Sequence, residues 1–103
     1  MHPMIQEKRE DIVALCQRYR VRNLEVFGSA VRGDDFDEAS SDADFLVEFQ
    51  PHGNLSPLEE FFGFQADLSR LLDRAVVLVW ARVVRNPYVL ASINRTREVV
   101  YAA

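Results

Sequence analysis

The stretch from Asp42 to Phe49 constrains this chain more than any other. Ala43, Phe45, Val47 and Phe49 alternate with Asp42, Asp44, Leu46 and Glu48. Successive side chains of a strand point to opposite faces. The pattern therefore predicts a strand with one apolar face and a second face that carries three acids. Whatever the chain folds into must bury the first and leave room beside the second.

The remaining segments supply partners for that strand. Met4 to Arg20 predicts a helix that packs through Ile5, Ile12, Leu15, Cys16 and Tyr19, with Pro3 near its start, where a missing N–H costs least. Leu24 to Phe27 predicts a short strand ended by Gly28-Ser29. A helical turn from Ala30 to Arg32 and a polar loop from Gly33 to Ser41 follow. Pro51 to Asn54 reads as a turn. Ser56-Pro57-Leu58-Glu59 is a capping box with proline at the first helical position. It opens a helix to about Leu72, with Leu58, Phe61, Phe62, Leu68, Leu71 and Leu72 at helical spacing. Ala75 to Trp80 is apolar almost throughout, as expected of a strand buried on both faces. Asn86-Pro87 starts a helix to about Arg95, and Val99-Val100-Tyr101 adds an edge strand. The expected fold class is α/β (α+β), a small mixed β-sheet with helices packed on it.

Length and composition exclude several classes. A chain of 103 residues and 11.8 kDa suits one domain spanning 1–103. Apolar residues at 49% and charged residues at 27% are those of a globular chain, not a disordered one. No apolar run reaches the roughly 20 residues of a membrane span. Glu7, Lys8, Arg9, Glu10 and Asp11 stand where a signal peptide needs an apolar stretch, so the expected location is cytoplasmic. One cysteine excludes an internal disulfide and a Cys-only zinc site, and on the apolar helix stripe Cys16 reads as a buried small hydrophobe. His2 and His52 have no second ligand at metal spacing.

The net charge of −4 argues against direct nucleic-acid binding, and its distribution is uneven. Seven acids and no Lys or Arg lie between Asp34 and Glu48. Six arginines lie from Arg70 onward, against Asp73 and Glu98 alone. An acidic middle and a basic tail suggest a cation site and an anion- or partner-facing surface.

Two aspartates at i and i+2 of a strand project from one face, their Cα atoms about 6–7 Å apart, and can share or bracket divalent ions. Mg²⁺ favours carboxylate oxygens completed by water and substrate phosphates, so Asp42 and Asp44 suit a Mg·nucleotide site. Gly28 lets the backbone approach a phosphate, Ser29 adds a hydroxyl donor, and Arg32 offers a fork matched to phosphate oxygens. A glycine-serine turn or an Asp-x-Asp alone says little. Together they place a phosphate cradle and a metal pair at neighbouring strand ends.

In this combination, Gly28-Ser29-x-x-Arg32-Gly33 followed by Ser41-Asp42-x-Asp44, the chain resembles the minimal nucleotidyltransferases of the DNA polymerase β-like superfamily. Short members of this kind often serve as the MNT antitoxin of a HEPN–MNT pair. The likeness runs from the leading helix to the Tyr101-Ala102-Ala103 ending. It implies that Gly28, Ser29 and Arg32 contact the nucleotide and that Asp42 and Asp44 are the catalytic acids and hold Mg²⁺. It further implies ATP as substrate, AMP transfer to a tyrosine, and a HEPN-type toxin as protein partner, with homo- and hetero-oligomers both open. Larger relatives that modify small molecules or nucleic acid carry a substrate-binding domain for which this chain has no room.

Two departures stand out. The loop from Gly33 to Asp42 is about two residues longer than the commonest form. The second concerns mechanism: the resemblance places a third acid on the third strand, where this chain has Val77 within Val76-Val77-Leu78-Val79. Glu48 shares the face of Asp42 and Asp44 but lies about 13 Å beyond Asp44 along the strand, and Asp73 reads as a turn residue. Three readings follow: a Mg-dependent transferase of AMP; an impaired antitoxin that neutralises its partner by binding alone; and a domain that binds no nucleotide.

Overall fold

The computed structural model describes residues 3–28, 42–51 and 56–103. The turn expected at 30–32, the loop at 33–41, the residues 52–55 and His2 lie outside them. Two helices open the chain, α1 (Pro3–Glu7) and α2 (Arg9–Arg18). They replace the single helix expected from Met4 to Arg20. Hydrogen bonds from Lys8 N–H to the Met4 carbonyl (3.3 Å) and from Ile12 N–H to the Lys8 carbonyl (2.9 Å) bridge the junction, so it is a bend. Arg20, in the left-handed region at φ 59°, turns the chain into β1 (Val21–Phe27).

Strand β1 begins three residues before the expected Leu24. Val21 pairs with Phe49, and Gln50 N–H donates to the Arg20 carbonyl at 2.8 Å. Pairing across the sheet, not the local preference of Arg22 and Asn23, sets this start. The alternating segment is β2 (Ala43–Phe49), antiparallel to β1.

Helix α3 (Pro57–Leu72) starts as the capping box predicts, with Ser56 Oγ accepting from Glu59 N–H at 3.2 Å. It ends at Asp73, whose left-handed backbone (φ 54°) forms the cap. Its buried stripe is Glu60, Phe64, Leu68 and Leu72, with Phe61 and Leu71 packed beside it, so the expected face is corrected only at Leu58 and Phe62. Leu58 and Phe62, each two positions off that stripe, turn to the opposite side and are 64% and 59% exposed. Gly63 lets α3 approach α2, because a Cβ there would lie 3.0 Å from Tyr19 Cε1.

Strand β3 (Val76–Trp80) runs parallel to β2, helix α4 (Pro87–Thr96) follows, and β4 (Glu98–Ala102) pairs antiparallel with β1. The sheet order is β3-β2-β1-β4. The apolar run of β3 was expected to be buried on both faces, but it forms an edge strand. Val76 and Leu78 enter the core while Val77 is 42% exposed. Gln65 Nε2 on α3 donates to the Val76 carbonyl at 2.9 Å and closes part of that edge.

One face of the sheet is covered by α1, α2 and α3. Leu24, Val26, Ala43, Phe45, Val47, Phe49, Val76, Leu78 and Val100 pack there against Ile5, Ile12, Cys16, Phe64, Leu68 and Leu72. Each fully buried large side chain removed from water contributes about 1.5–3 kcal/mol. Cys16 lies inside this core, where burial pushes its thiol up to about 12. Trp80 closes the rim, stacked on Phe61 at 5.9 Å. The opposite face is covered on the β1 side by α4, whose Ile93 packs with Phe27 and Leu46. This is the expected mixed sheet with helices, an α+β fold. No helix among the described residues is long and apolar enough to cross a membrane.

Candidate functional site

The second face of β2 carries the chemistry. Asp44 stands at its entry end, paired with Phe27 on β1 and with Val77 on β3. Asp42 lies two residues earlier, exposed, just before the strand begins. The two acids are close enough to interact: Asp44 has its carboxyl pushed above the ordinary range, first by burial and then by the negative charge of Asp42.

Gly28 ends β1 directly beside Asp44. Its φ of 75° is left-handed, and a Cβ there would lie 2.7 Å from Asp44 Oδ2. The conformation calls for glycine, and any side chain there would push the Asp44 carboxylate aside. Its N–H donates to Thr96 Oγ1 at 2.8 Å, so this amide is already engaged by the end of α4. The sequence reading assigned Gly28 to the phosphate cradle. The structure also gives it a steric role, since it makes room for a carboxylate. Ser29 and Arg32 lie outside the described residues.

Val77 stands at the level of Asp44 on the neighbouring strand, so the position where the resemblance calls for an acid is filled by an exposed methyl-bearing side chain. Beyond it, Leu46, Val79 and Ala81 continue an apolar floor with Phe27 and Ile93. At the far end Glu48 meets Arg82 across 3.5 Å, and Asp73 is committed to capping α3. Neither replaces the missing acid. Among the described residues no group of three His, Cys, Asp or Glu side chains gathers to hold a metal.

Does this donor set suit a divalent ion? Two neighbouring carboxylates repel each other, and one of them is held above its usual proton affinity by burial. A hard cation with oxygen preference relieves both effects. Asp42 and Asp44 therefore fit Mg²⁺ as a partial ligand set, to be completed by oxygens from elsewhere. They do not form a three-carboxylate site.

Two contributions escaped the sequence reading. Glu25, on β1 opposite Leu46, is 5% exposed, and Arg97 Nη2 approaches its Oε2 to 2.7 Å as an ion pair. A charged residue between Leu24 and Val26-Phe27 was a signal that could have flagged it. Thr96, at the end of a helix and distant in sequence, carried none.

Residues 9–100 match the model of the nucleotidyltransferase domain family. A candidate protein adenylyltransferase of Methanocaldococcus jannaschii is 34% identical over 80 residues, covering 78% of this chain and 77% of the relative. The chain belongs to the nucleotidyltransferase domain family. The solved structure of a candidate minimal nucleotidyltransferase superposes with a TM-score of 0.73 at 27% identity, over 95% of each chain. A complex of a tri-AMPylated Shewanella oneidensis HEPN toxin with MNT antitoxin matches with a TM-score of 0.65 at 17% identity. That match covers 95% of this chain and 72% of the other, and the likeness there is one of fold.

Proposed function

We propose that this chain binds Mg·ATP at the Asp42–Asp44 end of β2 and transfers AMP to a hydroxyl of a protein partner, a HEPN-type toxin. The observation that carries this reading is the meeting of three elements at one point: Gly28 with its left-handed turn, the half-buried Asp44, and Asp42 two residues away. The adenylyltransferase name of a relative and the toxin–antitoxin complex among its structural neighbours agree with it.

In this reading Asp42 and Asp44 would hold a Mg²⁺ ion, which when bound would supply positive charge to offset that of the phosphates. The residues of the chain orient the triphosphate. Gly28, Ser29 and Arg32 bind phosphate oxygens, as the resemblance implies, and the apolar floor of Leu46 and Val79 excludes water beside them. The acceptor hydroxyl releases its proton to water as its oxygen attacks the α-phosphorus, the bond from that phosphorus to the bridging oxygen breaks, and pyrophosphate leaves. Cytoplasmic location and a single domain over 1–103 complete the proposal.

Val77 favours a second reading, in which transfer is lost and the domain neutralises its partner by contact. Without a carboxylate at position 77, a metal ion beside the acceptor oxygen would be poorly held, and its loss would remove several kcal/mol of transition-state stabilisation, about tenfold in rate for each 1.4 kcal/mol. The intact mass of a partner co-purified with this chain separates the two. AMP-sized increments support transfer, whereas a stable complex with unmodified partner supports restraint by contact. Val77→Asp then sharpens the result: a gain in transfer rate assigns the deficit to position 77, and no gain from an already fast wild type removes Val77 from the argument. Absence of Mg²⁺-dependent ATP binding, with Asp42→Asn/Asp44→Asn no different from wild type, would overturn the transfer reading and leave restraint by contact.

A further inference from the structure

The last turn of α4 is fastened to β1 at three consecutive levels. Ile93, 2% exposed, packs on Phe27 and Leu46. Thr96 Oγ1 accepts the Gly28 N–H at 2.8 Å, a contact that spans 68 residues of sequence. Arg97 pairs with the buried Glu25 at 2.7 Å. The helix closes over these contacts with Arg97 N–H donating to the Ile93 carbonyl at 2.8 Å.

From this geometry we infer that Thr96 is a positioning residue for Gly28, beside Asp44 at the proposed nucleotide site, acting through the Gly28 amide; the inference rests on the Mg·ATP reading above. The Phe27–Gly28 peptide is planar, so anchoring its N–H fixes the direction in which that peptide faces. Gly28 then leaves the sheet at φ 75°, within 2.7 Å, measured from its would-be Cβ, of Asp44 Oδ2. One hydroxyl thus holds Gly28, at the end of β1, in register with the acid beside it. Glycine, the residue with the widest choice of backbone conformations, needs such an outside constraint to keep one of them. Ile93 and the Glu25–Arg97 pair hold the end of α4 against the sheet on either side of that hydroxyl. Thr96 contacts neither reacting atoms nor substrate in this account, and its effect passes through the backbone of Gly28.

The test compares wild type, Thr96→Ser and Thr96→Val. Serine retains the acceptor oxygen, and valine retains the branched shape without it. Two readouts are taken: amide hydrogen exchange at Gly28 by NMR, and Mg²⁺-dependent affinity for ATP and for AMP. The Gly28 amide is expected to be protected in wild type and Thr96→Ser and to exchange at least tenfold faster in Thr96→Val. ATP affinity is expected to fall about tenfold in Thr96→Val, equivalent to ~1.4 kcal/mol, and to stay within about threefold in Thr96→Ser. AMP, which lacks the outer phosphates, is expected to lose much less. A merely structural role would lower both affinities together with the melting temperature, and that result overturns the inference. So does equal ATP affinity in wild type and Thr96→Val. Failure of the wild-type chain to bind Mg·ATP at all is a different result: it overturns the underlying reading, and this inference with it.

Discussion

Two aspartates in this molecule are treated in opposite ways by the fold. Asp67 lies in the helical layer on the core side of the sheet, where Tyr19 donates its hydroxyl to it and Arg70 pairs with it. The Tyr19 hydrogen bond, ahead of the nearby arginines, holds its carboxyl below the ordinary range. Asp44 lies on the other face and is held above that range by burial and by Asp42. The first arrangement contributes to stability and the second subtracts from it. Glu25 and Glu48 on that face have arginine partners, so the Asp42–Asp44 end is where a cation or substrate has something to gain.

The comparison is broken most forcefully from the core side. Phe45 is fully buried, so Phe45→Ala is expected to cost about 3–5 kcal/mol in denaturant unfolding. A loss below about 1 kcal/mol would mean that this face does not carry the fold. On the opposite face, Arg97→Met leaves Glu25 buried without its cation, an expected loss of about 2–4 kcal/mol. Because the penalty is that of a stranded charge, adding Glu25→Gln should restore part of it. A double variant no more stable than Arg97→Met alone would contradict this account.

Smaller effects test the two aspartates directly. Tyr19→Phe removes the donor to Asp67 and should cost about 0.5–1 kcal/mol near neutral pH. Asp67 has a depressed folded-state proton affinity, so its contribution is present above the ordinary carboxylate range and is lost as pH falls through the depressed value. The gap between wild type and Tyr19→Phe should therefore close on acidification, as measured by melting curves from pH 7 to pH 2. Asp44→Asn has the reverse sign. The folded state holds the Asp44 proton more tightly than the unfolded chain does, so wild type loses stability as pH rises through the window from the ordinary value to the raised one. The variant escapes that loss and should melt ~1–3 °C higher at neutral pH, with no difference in strong acid. Millimolar Mg²⁺ should raise the melting temperature of wild type and leave Asp44→Asn unmoved. Equal responses to the ion would remove Asp44 from the proposed ligand set.

The parts of this architecture that were legible in the sequence are those whose cause is local. The alternation of β2 is written in eight consecutive residues, and the start of α3 in the four from Ser56 to Glu59. The errors fall where the cause is remote. Leu58 and Phe62 fit a helical apolar spacing as well as Phe64 and Leu68 do, and only the position of the sheet decides which stripe is buried. The apolar run of β3 looks the same whether one face is covered or two, and the sheet order makes it an edge. The early start of β1 depends on Phe49, 28 residues away from Val21 by number. At the candidate site the spacing of Asp42 and Asp44 was readable, and so was the departure at Val77. The register that sets Val77 level with Asp44 is a property of the folded sheet, as is the contact of Thr96 with Gly28.

Val77 sits on an outer strand, 42% exposed, with its neighbours Val76 and Leu78 carrying the burial on the other side. A substitution there leaves the core untouched. Valine and aspartate codons differ, at the nearest, by a single base. A lineage can thus lose or regain a carboxylate beside Asp44 in one mutational step without re-forming the fold around it.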